Sequence, residues 1–190
     1  MKIKLLGTFV VFLFCSCLKN STTVEEYSKF PVKYAKTKIS YPSNDFSITI
    51  PKNWKWKVEE YENDKIILGM DIIYNDSITN YLKIMSIQKY KSLENNSNLN
   101  VEFETLLSKS SKNNLSAKIL ESGKTKILNY DSYFIHTKFE NENSVEMITF
   151  LLKSKQNGIF YTISNICQNK DDVKTTLSIM IKCAKSFEIN

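Results

Sequence analysis

From Tyr41 onward, apolar residues recur mostly at every second position, in runs separated by short clusters of Asn, Asp, Ser and Pro. Period two sends alternate side chains to opposite faces of an extended backbone, so the pattern demands a sheet that buries at least one face. Phe46, Ile48 and Ile50 alternate with Ser47 and Thr49 up to Pro51, and Trp54, Trp56 and Val58 alternate with Lys55, Lys57 and Glu59. The short turn Pro51-Lys52-Asn53 between them predicts a hairpin. Further strands are expected over Ile66–Tyr74, where Gly69 marks a bulge or close packing, and over Tyr81–Tyr90 beyond the turn Asn75-Asp76-Ser77. Ala117–Leu128 reads as a strand interrupted near Gly123, followed by Tyr133–Phe139. Ser144–Lys153 follows Asn141-Glu142-Asn143 and is apolar on both faces, as a central strand would be. Asn157-Gly158 predicts a two-residue turn with positive φ at both positions, delivering Ile159–Ile166 as the partner strand.

Two stretches change to helical spacing. Leu99, Phe103, Leu106 and Leu107 place one apolar stripe on a helix over about 98–113, ended by Asn113-Asn114. Val173, Leu177, Met180 and Ala184 do the same near the C-terminus, in a helix expected to start near Asn169 as cap, with Asp171 and Asp172 facing the positive end of its dipole.

The N-terminus has a different composition. Lys2 and Lys4 precede an apolar run, Leu5 to Phe14, of about ten residues, the length of a signal-peptide core and half of what a spanning helix needs. The run ends in Phe14-Cys15-Ser16-Cys17, which resembles a bacterial lipoprotein signal. That resemblance implies cleavage after residue 16 and a diacylglyceryl group on Cys17, since the small residues Ser16 and Cys15 precede it and bulky Phe14 precedes Cys15. The acyl chains of such an anchor hold a protein on a bilayer at about 0.8 kcal/mol per buried methylene. Leu18, where an aspartate would favour inner-membrane retention in that family, implies an outer-membrane site facing the periplasm. Residues 17–40, polar and without sustained period, are expected to form a lipidated tether, with Pro31 discouraging regular structure.

The remaining length suits one domain, 41–190. Its 42% hydrophobic and 24% charged residues are those of an ordinary globular chain. The net charge of +6 comes entirely from lysine, with no arginine in the sequence, and becomes +4 once Lys2 and Lys4 are removed. Arginine's planar fork reads guanine edges and clamps phosphates, so its absence argues against nucleic-acid recognition and arginine-clamped anions. The lysines serve solubility and attraction to anionic headgroups.

No constellation of catalytic residues emerges. His136 is the sole histidine, on a strand facing with Phe134 and Lys138, and no carboxylate in the sequence is visibly placed to orient it. Cys167 ends a strand, whereas Cys183 lies about 20 Å along the terminal helix, too far for a disulfide. Both are read as packing residues. Trp54, Trp56, Tyr61 and Tyr74 could line an aromatic binding wall, but tryptophans two apart on a hairpin are first read as core. Asp71, Asp76, Asp131, Asp171 and Asp172 are assigned to turns or caps without calcium-loop spacing, and no phosphate loop, nucleophile elbow or zinc motif occurs. No catalytic, cofactor or metal site is therefore assigned.

The element order, together with Pro51-x-x-Trp54 early and Ser186-Phe187 at the end, resembles the PsbP-like family over about 41–189. The resemblance implies an α+β fold, an antiparallel sheet with helices on both faces. It also implies a binding, assembly or chaperone role rather than an enzymatic one, as in the member that binds a small GTPase. The expectation is a monomeric, membrane-anchored envelope lipoprotein that holds a protein or envelope component without catalysis. The alternatives are a small apolar-ligand binder, with a pocket between sheet and helix, and an envelope hydrolase.

Overall fold

A computed structural model describes residues 22–74, 83–112, 117–139, 144–168 and 172–190. The expected lipidation site Cys17, the expected turns at 75–77 and 141–143, the expected Asn113-Asn114 helix end and the expected Asn169 cap lie outside the described residues.

The chain builds a seven-stranded antiparallel sheet, a three-stranded antiparallel sheet and three helices. α1 is Val24–Lys29, β1 Lys36–Ser40, β2 Phe46–Pro51, β3 Lys55–Glu59, β4 Ile66–Ile73, β5 Lys83–Lys91, α2 Leu99–Lys112 and β6 Ala117–Thr125. β7 Ser132–Phe139, β8 Val145–Lys153, β9 Ile159–Gln168, α3 Val173–Ala184 and β10 Glu188–Ile189 complete it. The large sheet runs β3-β4-β5-β9-β8-β7-β6, and the small one β1-β2-β10. The fold is α+β, as the patterning requires.

Each face of the large sheet carries its own core. On one face, α2 lays Leu99, Phe103, Leu106 and Leu107 against Tyr90, Ile135, Leu151 and Phe160. On the other, α1, α3 and β2 cover Met70, Ile72, Met85, Ile87, Ile148, Phe150 and Ile163. Leu177, Met180 and Ala184 of α3 are buried there, so the stripe read from sequence is the packed one. Its cap is Asp172, whose carboxylate accepts from Thr175 N at 3.1 Å. α3 therefore begins at Val173, later than the expected Asn169 start.

The expected hairpin of β2 with β3 does not form. β2 pairs with β1 along one edge; along the other, β10 pairs with Phe46 and Ser47 and the Ser186 hydroxyl bonds both backbone groups of Thr49, so β3 pairs instead with β4 in the other layer. Trp54 N donates to Pro51 O at 3.0 Å, a tight bend that carries the chain from one layer to the next.

The expected tether is also corrected over its described part. Thr23 and Glu26 form a reciprocal capping box at the start of α1, which buries Val24 and Tyr27, and β1 is a strand of the small sheet. Lys182 Nζ donates to Val32 O at 2.9 Å and Lys52 N to Ala35 O at 2.8 Å, so this segment is fastened along its length.

Smaller differences have local causes. β9 takes the middle of the large sheet, with β8 beside it. At Asn157-Gly158 only Gly158 has positive φ, at +69°. Ile159 N donates to Gln156 O at 3.3 Å and Ser154 N to Ile159 O at 3.0 Å, so the loop has four residues rather than two. β6 runs through Gly123 without a break, its irregularity lying between Ile119 and Glu121. Gly69 answers to close packing: a Cβ there would meet Tyr61 Cε2 at 2.2 Å.

Candidate binding surface

Two places merit a functional reading: a buried polar cluster beneath α1 and an exposed apolar margin along β3.

The cluster centres on His136. Register places His136 on β7 and Glu146 on β8 within reach of one another, and the capping box holds α1 so that Tyr27 points down onto both. His136 Nε2 lies 2.7 Å from Glu146 Oε1, and Tyr27 OH donates to the same oxygen at 2.6 Å. The rings of Tyr27 and His136 meet edge to face at 6.0 Å. An ionised carboxylate only accepts, so His136 Nε2 donates as well. Burial pushes the Glu146 carboxyl up, but the hydrogen bonds from His136 and Tyr27 outweigh it and hold the group below its usual range. Burial raises the Tyr27 phenol, helped by its bond to Glu146. His136 thus has the orienting carboxylate that sequence reading did not find. Glu146 sits on an otherwise apolar strand and Tyr27 in a stretch read as tether, so their convergence had no local signal. The Thr23-Val24-Glu25-Glu26 capping box would have revealed α1. With His136 fully buried and Glu146 nearly so, the cluster faces protein rather than an open cleft. Its chemistry is that of a latch: Glu121 Oε2 also accepts from Val24 N at 3.0 Å, tying the first turn of α1 to β6.

The other candidates separate. Cys167 and Cys183 are buried and not bonded to each other; burial pushes the Cys183 thiol up to about 11, and Tyr34 OH lies 3.5 Å from its sulfur. Asp71 is not at a turn, as expected, but midway along β4, opposite Lys57 on one side and Ser86 on the other, where burial pushes its carboxyl up. Asp172 is a cap as expected, and Asp131 is an exposed loop residue 3.4 Å from Lys124 Nζ. Asp76 and Asp171 lie outside the described residues. Among the described residues, no group of three or more His, Cys, Asp or Glu is placed to hold a metal, and no helix is long and apolar enough to cross a membrane.

The four aromatic residues do not share one environment. Trp54 is in the core, 5.8 Å from the ring of Tyr74. Trp56, expected beside it in the core, is 41% exposed, because β3 is the outermost strand and the small sheet and α3 cover only the strands further in. Val58 at 40% and Ile67 at 45% join it, so three of the four exposed large apolar side chains among the described residues gather on the β3–β4 margin. Beyond the N-terminal end of β3, Tyr34, Pro51, Trp54, Tyr74 and Ile179 wall a cleft of about 320 Å³, with Lys83 and Asp172 at its rim. Lys83 Nζ sits 4.9 Å above the Tyr74 ring. Beyond its C-terminal end, Tyr41, Val58, Glu59, Glu60, Tyr61 and Ile67 line a smaller depression of about 280 Å³. The margin is therefore an apolar strip with a recess at each end.

Comparison with solved structures places this architecture. It aligns with cyanobacterial PsbP (CyanoP) from Synechocystis at a TM-score of 0.55 and 12% identity, covering 84% of this chain and 95% of that one. The fold is PsbP-like. The Ran-binding protein Mog1p of Saccharomyces cerevisiae aligns at 0.57 and 7% identity over 83% of this chain and 96% of its own. LpqN of Mycobacterium tuberculosis, described as involved in cell envelope biogenesis, aligns at 0.56 and 10% identity over 88% and 97%. No family model and no curated protein sequence matches the chain. At these identities the likeness concerns the PsbP-like backbone alone.

Proposed function

We propose that this protein is a lipid-anchored component of the cell envelope that holds a protein partner along the β3–β4 margin, without catalysing a reaction. The observation that carries the reading is the gathering of Trp56 and Val58 on the unpaired edge strand β3 with Ile67 beside them on β4, each at least 40% exposed. Single exposed apolar residues are ordinary, but several side by side on an edge strand mark a contact surface. The edge offers main-chain hydrogen bonds to an added strand, and the recesses at its ends offer side-chain specificity. The PsbP-like neighbours support a binding or assembly role, since one is described as Ran-binding and another as involved in envelope biogenesis.

The anchor follows from the N-terminal sequence: residues 1–16 are the export signal, Cys17 carries the lipid, and the domain faces the periplasm from the outer membrane. Labelled palmitate should enter the wild type and not Cys17→Ala; equal labelling removes the anchor from this reading. A photo-crosslinker at Trp56 in intact cells should trap a discrete partner, and the same probe at Lys126, on the opposite side of the large sheet, should not.

A second reading has its own observation. The Tyr34, Trp54, Tyr74 and Ile179 cleft is large enough for a small apolar ligand, and Lys83 and Asp172 could orient one. Quenching of Trp54 fluorescence by an apolar probe, abolished by Ile179→Trp, would favour it over the margin.

A further inference from the structure

We infer that the partner on the β3 edge is a second copy of this chain, joined through antiparallel pairing of β3 with β3 about a two-fold axis at Val58. The inference rests on the reading of the β3–β4 margin as a contact surface, and it replaces the monomer expected from sequence.

The argument is one of charge and register. Along β3, Lys55 and Lys57 precede Glu59 on one face, and Trp56 and Val58 alternate with them on the other. Lysines on an edge strand ordinarily repel an incoming strand. Here an identical strand running the other way can lay its Glu59 against Lys57 of the first, so that face of the edge is self-complementary only when antiparallel. A foreign strand would need to bring a matching charge pair itself, whereas a second copy has it by construction.

Symmetry then selects the register. In a two-fold antiparallel pair, the residue on the axis faces its own copy, and cross-strand partners share a face of the sheet. An axis at Lys57 sets lysine against lysine, and an axis at Glu59 sets carboxylate against carboxylate, both destabilising. An axis at Val58 sets valine against valine, and places Lys57 of each copy opposite Glu59 of the other. Lys57 and Glu59 already touch within one chain, and pairing closes them into a ring of four alternating charges. On the other face, each Trp56 lies diagonal to the second copy's Val58, so the apolar side chains now in water cover one another. No strand among the described residues occupies this side of β3, and its backbone groups are free to pair. The two-fold operation uses the edge once, so assembly through it stops at a dimer.

The test uses the full chain in detergent. Under mild oxidation Val58→Cys should give a disulfide-linked dimer, since directly opposed residues stand within disulfide reach, about 4.5 to 5.5 Å between Cα atoms. Lys36→Cys, exposed on β1, should behave as wild type. By sedimentation, Lys57→Glu and Glu59→Lys should each self-associate roughly tenfold or more weakly than wild type. Mixed together they should pair, because each then meets its opposite charge; the contact within one chain cannot produce that rescue. A wild type that sediments as a monomer at every soluble concentration, with Val58→Cys uncrosslinked, overturns the inference, as does a mixture of the two charge variants that stays monomeric. Either result leaves the margin as a docking surface if the Trp56 probe still traps a partner in cells. A β3 dimer that forms while the Trp56 probe traps no other protein keeps the inference and removes the foreign partner.

Discussion

The corner beneath α1 and the margin along β3 reverse the usual assignment of polar and apolar groups. At the corner, Tyr27, Glu146 and His136 are polar and buried; at the margin, Trp56, Val58 and Ile67 are apolar and exposed. Each departs from the rule that sends apolar groups inward, but only the corner is resolved within the chain. Its two donors meet one carboxylate, so every partner of Glu146 comes from a single molecule. The margin's apolar groups and open backbone edge have no counterpart among the described residues. A buried carboxylate whose donors come from its own chain specifies a fold, whereas an apolar edge left open specifies a contact.

Substitutions should separate the two regions by what they change. Glu146→Ala strands two buried donors and should cost about 3 kcal/mol in urea unfolding, with α1 lost first in hydrogen exchange. An unchanged midpoint would mean that the cluster is not a latch. Tyr27→Phe removes one bond to a charged acceptor and should cost about 2 kcal/mol, releasing α1 without opening the sheet.

Gly69→Ala sharpens the other side of the comparison. The added Cβ displaces Tyr61, which lines the recess beside Val58, so we expect a loss of about 1 kcal/mol accompanied by weaker association at the margin. Trp56→Ala should change stability by about 0.5 kcal/mol or less while abolishing that association. A large stability loss at Trp56 would return it to the core and dissolve the contrast.

Acid provides the mildest probe. Glu146 has a folded value below its usual 4.5, so its contribution is complete above that value and is lost as pH falls through the lower folded one. Asp45, held down by Lys89 and Ser43 against the upward push of burial, follows the same sign. Glu146→Gln should therefore flatten part of the acid limb of the stability profile, leaving the portion due to Asp45 and to Glu26, Asp172 and Glu188, which hydrogen bonds also hold down. An acid limb of unchanged slope would show that Glu146 is ionised equally in the folded and unfolded chains.

Much of the fold was legible because its signals are local. Alternation at Phe46–Ile50 and the apolar runs at Ile66–Tyr74 and Ser144–Lys153 located strands, and the spacing of Leu99, Phe103, Leu106 and Leu107 gave both α2 and the face it buries. Alternation tells which side chains share a face, not which strands are neighbours, and so it misjudged Pro51-Lys52-Asn53 as a hairpin turn. The same limit hid the candidate site. Trp54 and Trp56 stand two apart on either side of Lys55, yet one lies under α3 and the other beyond the last covered strand.

By itself the sequence determined a sheet-rich α+β domain with two amphipathic helices, because periodicity acts over a few residues and needs no partner to be read. Only the tertiary structure decided that β1 and β10 occupy both edges of β2. β1 lies close to β2 in the chain, but β10 and Ser186 reach it from more than a hundred positions away, and together they excluded β3 from the small sheet and left Trp56 and Val58 at an open margin.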